Sequence, residues 1–437
     1  MKEGYLIKKL GSIPKGWSEK KMPDFSWFQE GPGLRKWQFK DEGIKVINIT
    51  NMVNGVLDLS KTTRHISLEE FNSTYTHFEC QENDIVIASS GNSYCKHAIV
   101  RKQDLPLVMN TSVIRFKPLS SINYNYLNQF LKSQLFKEQI DFMITGGAQP
   151  NFGPVHLKKV VLALPPLPEQ QKIADILSTV DAKINLITQR IAQTQDLKKG
   201  LMQRLLTKGI GHIAFKESPL GEIPKSWEVT PIYELRNKTD RYSFTGGPFG
   251  SDLKSEHYTE TGVRIIQLQN IGEGVFVDKA KIYTSYEKAD ELVSCNIYPN
   301  DIILAKMAPV ARCCKMPFLD KRYVMGSDGI RLSVDKSKYD NEFIYQALNS
   351  RKFRNEAEAK STGTTRARIG LKDLKLIPIA IPPKEEQTQI ANILSTVDSK
   401  LDVLQNKKIH YQELKKGLMQ QLLTGKVRVT GLIKEVV

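Results

Sequence analysis

Arginine, lysine, carboxamide and small hydroxyl side chains gather in a few glycine-rich or polar stretches of the sequence. Ser89-Ser90-Gly91-Asn92-Ser93-Tyr94 is followed by Lys96, and Gln149 and Asn151 come later in the first half. Lys306, Arg312, Thr364, Thr365, Arg366 and Arg368 form a second set. A guanidinium offers two parallel donors that fit guanine, and a carboxamide offers one donor and one acceptor that fit adenine. The cations can also pair with phosphate, which positions a protein without reading sequence. Surface turns in general carry the same residue types, so these stretches name candidates for DNA contact.

Residues that could perform a reaction are not arranged to do so. Adenine methyltransferases of the usual kind hold a flipped base with Pro-Pro between a small polar residue and an aromatic. Here Pro165-Pro166 and Pro382-Pro383 follow Leu164 and Ile381 and lack the aromatic. No G-x-x-x-x-G-K-S/T phosphate loop occurs. The spaced pairs Asp181/Lys183 and Asp398/Lys400 have no second acid nearby and read as solvated helix positions. Five cysteines (Cys80, Cys95, Cys295, Cys313 and Cys314) form no C-x-x-C pair, and the seven histidines are scattered. Neither a disulfide framework nor a zinc site is signalled, which points to a reducing cytoplasm. The expectation is no catalytic residue, no metal ligand and no cofactor held by this chain.

Lys and Arg outnumber Asp and Glu by 63 to 47, an excess of 16 positive charges, so a polyanionic partner is implied. No run of 18 apolar residues exists, and residues 1–10 lack the apolar stretch of a signal peptide. Nucleic acid is therefore preferred to a membrane. The length of 437 residues calls for two to four folding units.

The elements that must position these side chains come as an internal repeat. Residues 165–207 return as 382–424 at a constant offset of 217, with 24 of 43 positions identical. Asn83-Asp84-Ile85-Val86 matches Asn300-Asp301-Ile302-Ile303, and Thr145-Gly146-Gly147 faces Thr362-Gly363-Thr364, at the same offset. Residues 10–17 match 220–227 at offset 210, sharing Ile-Pro-Lys-x-Trp. Each copy is thus a variable body followed by a well-matched arm.

Apolar or small residues in the first arm alternate by four and three, at Ile173, Leu177, Val180, Ile184, Ile187, Ile191 and Thr194. That spacing is the seam of a coiled coil. The second arm has Ile390, Leu394, Val397, Leu401 and Leu404. Near Lys198 and Lys408 the strict heptad is expected to lapse, with Leu197 and Leu414 taking over. A helix of about 40 residues would be roughly 60 Å long, and two such stripes most simply bury each other in antiparallel. Strand-like runs at 44–49, 84–88 and 113–116, and helical spacing over 124–140 and 341–360, make each body α/β or α+β. The domains expected are bodies over 1–164 and 211–381 and helical arms over 165–210 and 382–437.

The order I-P-x-x-W, variable body, N-D-I-V/I, P-P-x-x-E-Q-x-x-I-A-x-I-L and L-K-K-G-L-M-Q-x-L-L-T, given twice, resembles the specificity subunits of type I restriction-modification systems. Gly246-Gly247-Pro248-Phe249-Gly250-Ser251 is similar to that family's opening of a target-recognition domain, with Gly31-Pro32-Gly33 a looser counterpart. The resemblance implies two target-recognition domains related by a pseudo-two-fold repeat and separated by two long antiparallel coiled-coil helices. It also implies a non-catalytic, cytoplasmic subunit that recognises a bipartite, asymmetric site on double-stranded DNA. Its partners would be two methyltransferase and two restriction subunits, which alone would hold S-adenosylmethionine, ATP and magnesium. The matched arms are expected to dock those partners through Leu201, Met202 and Leu205 and through Leu418, Met419 and Leu422. Some relatives carry a tetrapeptide duplication in the first arm; none is evident between Ile187 and Asp196. A bivalent DNA-binding regulator or scaffold, or a self-contained modification enzyme, remains open: co-purification with a methyltransferase and methylation by the chain alone tell them apart.

Overall fold

The computed structural model describes residues 5–8, 11–144, 150–279, 281–363 and 366–433. Six helices of eight or more residues lie among them: α1 (Tyr124–Leu131), α2 (Gln134–Met143), α3 (Leu167–Lys208), α4 (Asn341–Leu348), α5 (Arg351–Ala359) and α6 (Lys384–Leu422). The chain divides into two compact units, Met1–Thr188 with Asn406–Val437, and Gln189–Gln405.

In the first unit a six-stranded sheet runs in the order Ser26–Glu30, Val113–Pro118, Ile85–Ala88, His97–Ile99, Gly55–Leu57, Met52–Val53. Its central strand Ile85-Val86-Ile87-Ala88 is buried on both faces, as a continuous apolar run requires. Successive side chains point to opposite faces. Ile85 and Ile87 therefore pack with Phe116, Phe130 and Phe136 under α1 and α2, while Val86 and Ala88 pack with Ile47 and Met109.

The second unit repeats the plan with a four-stranded sheet, Phe244–Gly246, Gly329–Leu332, Ile302–Ala305, Cys313–Lys315, and a five-stranded sheet beside it. Ile302 and Leu304 face α4; Ile303 and Ala305 face the other way. In each body the exit strand pairs antiparallel with the entry strand, Val161–Leu164 with Ser18–Lys21 and Pro378–Ile381 with Glu228–Pro231. The proline pair then ends strand pairing, because proline has no N–H to donate, and the long helix begins.

The single helices expected over 124–140 and 341–360 are each two. Ser133 and Ser350 interrupt them, and each hydroxyl accepts the N–H three residues on, from Phe136 at 3.1 Å and Phe353 at 3.3 Å. A serine at that position caps a new helix in place of continuing the old one.

A second difference concerns the arms, where the heptad does not lapse. Leu197 and Leu414 are 52% and 41% exposed, whereas Lys408 is half-buried and the pair Lys198 and Lys415 occupy the seam half-buried. Their stems lie along the apolar surface and their ammonium groups reach acids on the facing helix. In the first unit Lys415 on α6 meets Asp181 on α3 at 2.7 Å, and Ile173 and Leu177 pack with Leu422. In the second unit Lys198 on α3 meets Asp398 on α6 at 2.5 Å, and Leu205 packs with Ile390 and Leu394. Within each unit the two helix segments are antiparallel. Asp181 and Asp398 are thus structural rather than solvated, each also accepting from a glutamine of its body, Gln129 and Gln346, at 2.9 Å. Among the described residues, no helix is long and apolar enough to cross a membrane.

Candidate nucleic-acid interface

Both bodies carry their candidate residues on one repeated backbone frame. In the first body the hairpin strand Ile85–Ala88 runs into Ser89, whose N–H donates to the Ser112 carbonyl at 2.8 Å and whose carbonyl accepts from Phe152 N–H at 2.9 Å. Ser90 bridges to Asn151, and Gly91 N–H donates to the Pro150 carbonyl at 3.0 Å. In the second body Lys306 N–H donates to the Asp328 carbonyl at 2.7 Å, and the Lys306 carbonyl accepts from Ile369 N–H at 2.9 Å. Met307 bridges to Arg368, and Ala308 N–H donates to the Ala367 carbonyl at 3.0 Å. Ser89, Ser90, Ser112 and Asn151 thus correspond to Lys306, Met307, Asp328 and Arg368.

The structure brings Ser89, Ser90 and Asn151 together, and Lys306 with Arg368. Ser89 is buried, and its hydroxyl finds no hydrogen-bond partner among the described residues. Asn92, Lys96 and Arg366 are exposed. Gln149, Thr364, Thr365 and the stretch Thr145-Gly146-Gly147 lie outside the described residues.

Two candidates have other work. Tyr94 turns its phenol to α2, where it donates to Asp141 at 2.5 Å and accepts from Lys137 at 2.6 Å. Arg312 is buried and donates to the carbonyls of Ile271 and, at 2.8 Å, Leu268; it holds the 268–271 turn. Lys306 donates its Nζ to the Ser327 carbonyl at 2.8 Å. Burial, aided by the neighbouring Arg368, pushes its pKa down. Arg368 pairs with Asp328 at 3.3 Å. Asp328 escaped the sequence reading because nothing local marks it; only the sheet brings it beside Arg368.

Gly31 and Gly247 hold equivalent places next to these clusters. A Cβ on Gly31 would lie 2.2 Å from the Asn110 carbonyl oxygen, and one on Gly247 would lie 1.8 Å from that of Gly326. Only glycine lets the two backbones come so close, which explains the glycine at each of these two places. In the second body the loop continues to the exposed Phe249 and lines a cavity of about 500 Å³ with Gln267, Gln269, Ser327 and Asp328.

Beneath the frame each body has a buried arginine that sequence gave no reason to single out. Arg115 meets Asp84 at 3.4 Å and Arg331 meets Asp301 at 2.6 Å. The same acids accept the N–H of Gln81 at 2.8 Å and Tyr298 at 2.9 Å. Asn83 and Asn300 precede them at φ of 67° and 71°, a conformation asparagine tolerates. The repeated Asn-Asp-Ile is therefore a turn with an ion-pair anchor.

The docking residues expected on the arms divide. Leu205 and Leu422 are 7% and 3% exposed and belong to the two cores, so their side chains are not free for a partner. Leu201, Met202, Leu418 and Met419 are half-buried against the same cores. Among the described residues no group of three or more His, Cys, Asp or Glu side chains could hold a metal ion.

The type I restriction modification DNA specificity domain matches this chain twice, over residues 14–195 and 226–412. The type I restriction enzyme MjaVIII specificity subunit of Methanocaldococcus jannaschii is 27% identical over 359 residues, 80% of each chain. The EcoKI specificity subunit of Escherichia coli is 22% identical over 411 residues, 90% of this chain and 85% of its own. In fold, the chain is similar to the type I restriction-modification S subunit from M. genitalium, with a TM-score of 0.54, 17% identity, and coverage of 93% of this chain and 96% of that one. Matched in both of its halves, the chain belongs to the type I restriction-modification DNA specificity family, whose members are non-catalytic recognition subunits.

Proposed function

We propose that this chain reads a two-part, asymmetric DNA sequence, one half with each body, and directs adenine methyltransferase and ATP-dependent endonuclease subunits to it. Two copies of each would assemble with it in the cytoplasm. S-adenosylmethionine, ATP and magnesium would belong to those partners. One observation carries the reading: the two bodies repeat a single backbone frame and place different polar side chains on it. A frame kept constant under exchanged side chains is what two readers of unlike half-sites need, because base edges in the major groove are told apart by donor and acceptor pattern. The excess of 16 positive charges supplies phosphate attraction for both. The exposed faces of α3 and α6 are the proposed seat of the partners.

The test is co-expression with the methyltransferase partner and mapping of methylated adenines across the host genome. A motif of two unlike halves around an unread gap is expected, with the chain co-purifying with the methyltransferase. Methylation by the purified chain alone, or failure to associate with any methyltransferase, would reject the reading.

A further inference from the structure

The frame shared by the two bodies allows a position-by-position comparison of chemistry. At the three places fixed by equivalent backbone hydrogen bonds, the first body has Ser89, Ser112 and Asn151 and the second has Lys306, Asp328 and Arg368. The first set is neutral; the second is two cations and an acid.

We infer that Arg368 reads a guanine in the half-site of the second body, aimed by Asp328, and that Asn151 occupies the corresponding reading position in the first. This rests on the proposed function above. The Arg368–Asp328 pair is 3.3 Å apart, with the arginine side chain 54% exposed. A pair so open to water adds little to stability, so its physical effect is on direction. The carboxylate lies beside one end of the guanidinium and biases where it points, and a side chain biased toward its bound direction loses less freedom on binding. The other donors remain free for the two acceptors on guanine's major-groove edge. Behind it, Lys306 is tied to the Ser327 carbonyl, which keeps a second cation close without offering a fork of its own. Asn151 is exposed on the matching bridge, and its amide has the donor and acceptor that adenine's edge requires.

The experiment reconstitutes the complex with its methyltransferase and maps methylated adenines for the wild-type, R368A, R368K, D328N and N151A chains. Circular dichroism and co-purification verify that each variant is folded and assembled. R368A and R368K should both lose about ten- to a hundredfold discrimination at one guanine of one half-site, leaving the other half intact. D328N should lose less at the same position, and N151A should relax one position in the opposite half. Lysine keeps the charge but not the fork, so an R368K complex with the wild-type motif would mean a phosphate contact and overturn the assignment. An unchanged motif in R368A, or loss spread over both halves, would overturn it as well. A wild-type complex that methylates no two-part motif would instead reject the functional reading itself.

Discussion

The indole Nε1 of Trp17 donates to the buried carboxylate of Glu169 at 2.9 Å across 152 residues of sequence. Arg428, from the segment after α6, closes on the same carboxylate with two bonds of 2.7 and 2.8 Å. The second unit repeats the arrangement, Trp227 donating to Glu386 at 3.0 Å and His212, from the segment after α3, lying 2.9 Å from it. This latch joins the Ile-Pro-x-x-Trp start of a body to the Glu-Gln start of its arm. The neighbouring glutamines complete it: the Gln170 and Gln387 side chains accept the N–H of Asn123 at 2.8 Å and Asp340 at 2.9 Å.

Removing the carboxylate leaves a buried indole N–H and a guanidinium without their acceptor. The Glu169→Ala chain should lose about 2–3 kcal/mol of unfolding free energy, read as a lower denaturant midpoint of the first unit. An unchanged midpoint would show that the latch is not stabilising.

The latch is also sensitive to acid. Burial pushes the Glu169 carboxyl up, but hydrogen bonds from Arg428 and Trp17 outweigh it and hold the pKa below its ordinary value. For an acid depressed in the folded state, the stabilisation is complete above the unfolded pKa, near 4.5, and disappears as pH falls through the folded value. The wild type should therefore lose stability more steeply than Glu169→Gln below about pH 4.5, in urea titrations at stepped pH. Parallel curves would refute the assignment.

Lys415 and Asp181 should be energetically coupled. A double-mutant cycle of Lys415→Met and Asp181→Asn should give an interaction of about 0.5–1.5 kcal/mol, since both side chains are largely shielded within the arm seam. Additive effects would place the lysine in the seam for its stem alone.

Replacing residues 17–164 with the body of a relative should change one half of the methylated motif and spare the other. The graft must keep a tryptophan at its start and a glutamine in place of Gln129, the groups that meet Glu169 and Asp181. Methylome sequencing decides; a hybrid altered in both halves would show that the bodies do not read independently.

The repeat and the arms were legible because identical residues at a fixed offset and a heptad spacing are properties of sequence itself. The shared frame was partly legible, since Ser90 and Asn151, like Lys306 and Arg368, were singled out without any sign that they adjoin. What was hidden depends on tertiary burial. Arg312 has the composition of a surface reader, yet the 268–271 carbonyls claim it. Lys198 looks like a break in a heptad, and only an acid on the facing helix makes it, like Lys415, a seam residue. Leu205 and Leu422 share a matched block with residues that face outward, and helical phase alone sends them inward.

The second unit is one uninterrupted stretch, Gln189–Gln405, whereas the first waits for Arg428, made 259 residues after Glu169. During synthesis every residue of the second unit is therefore available before the first unit has its last contact partner. The body made first has Trp17 to donate to Glu169 but waits for Arg428, while the second unit has all of its own residues. A chain cut short before Arg428 would hold every residue of the second unit but would lack the guanidinium that closes on Glu169 in the first.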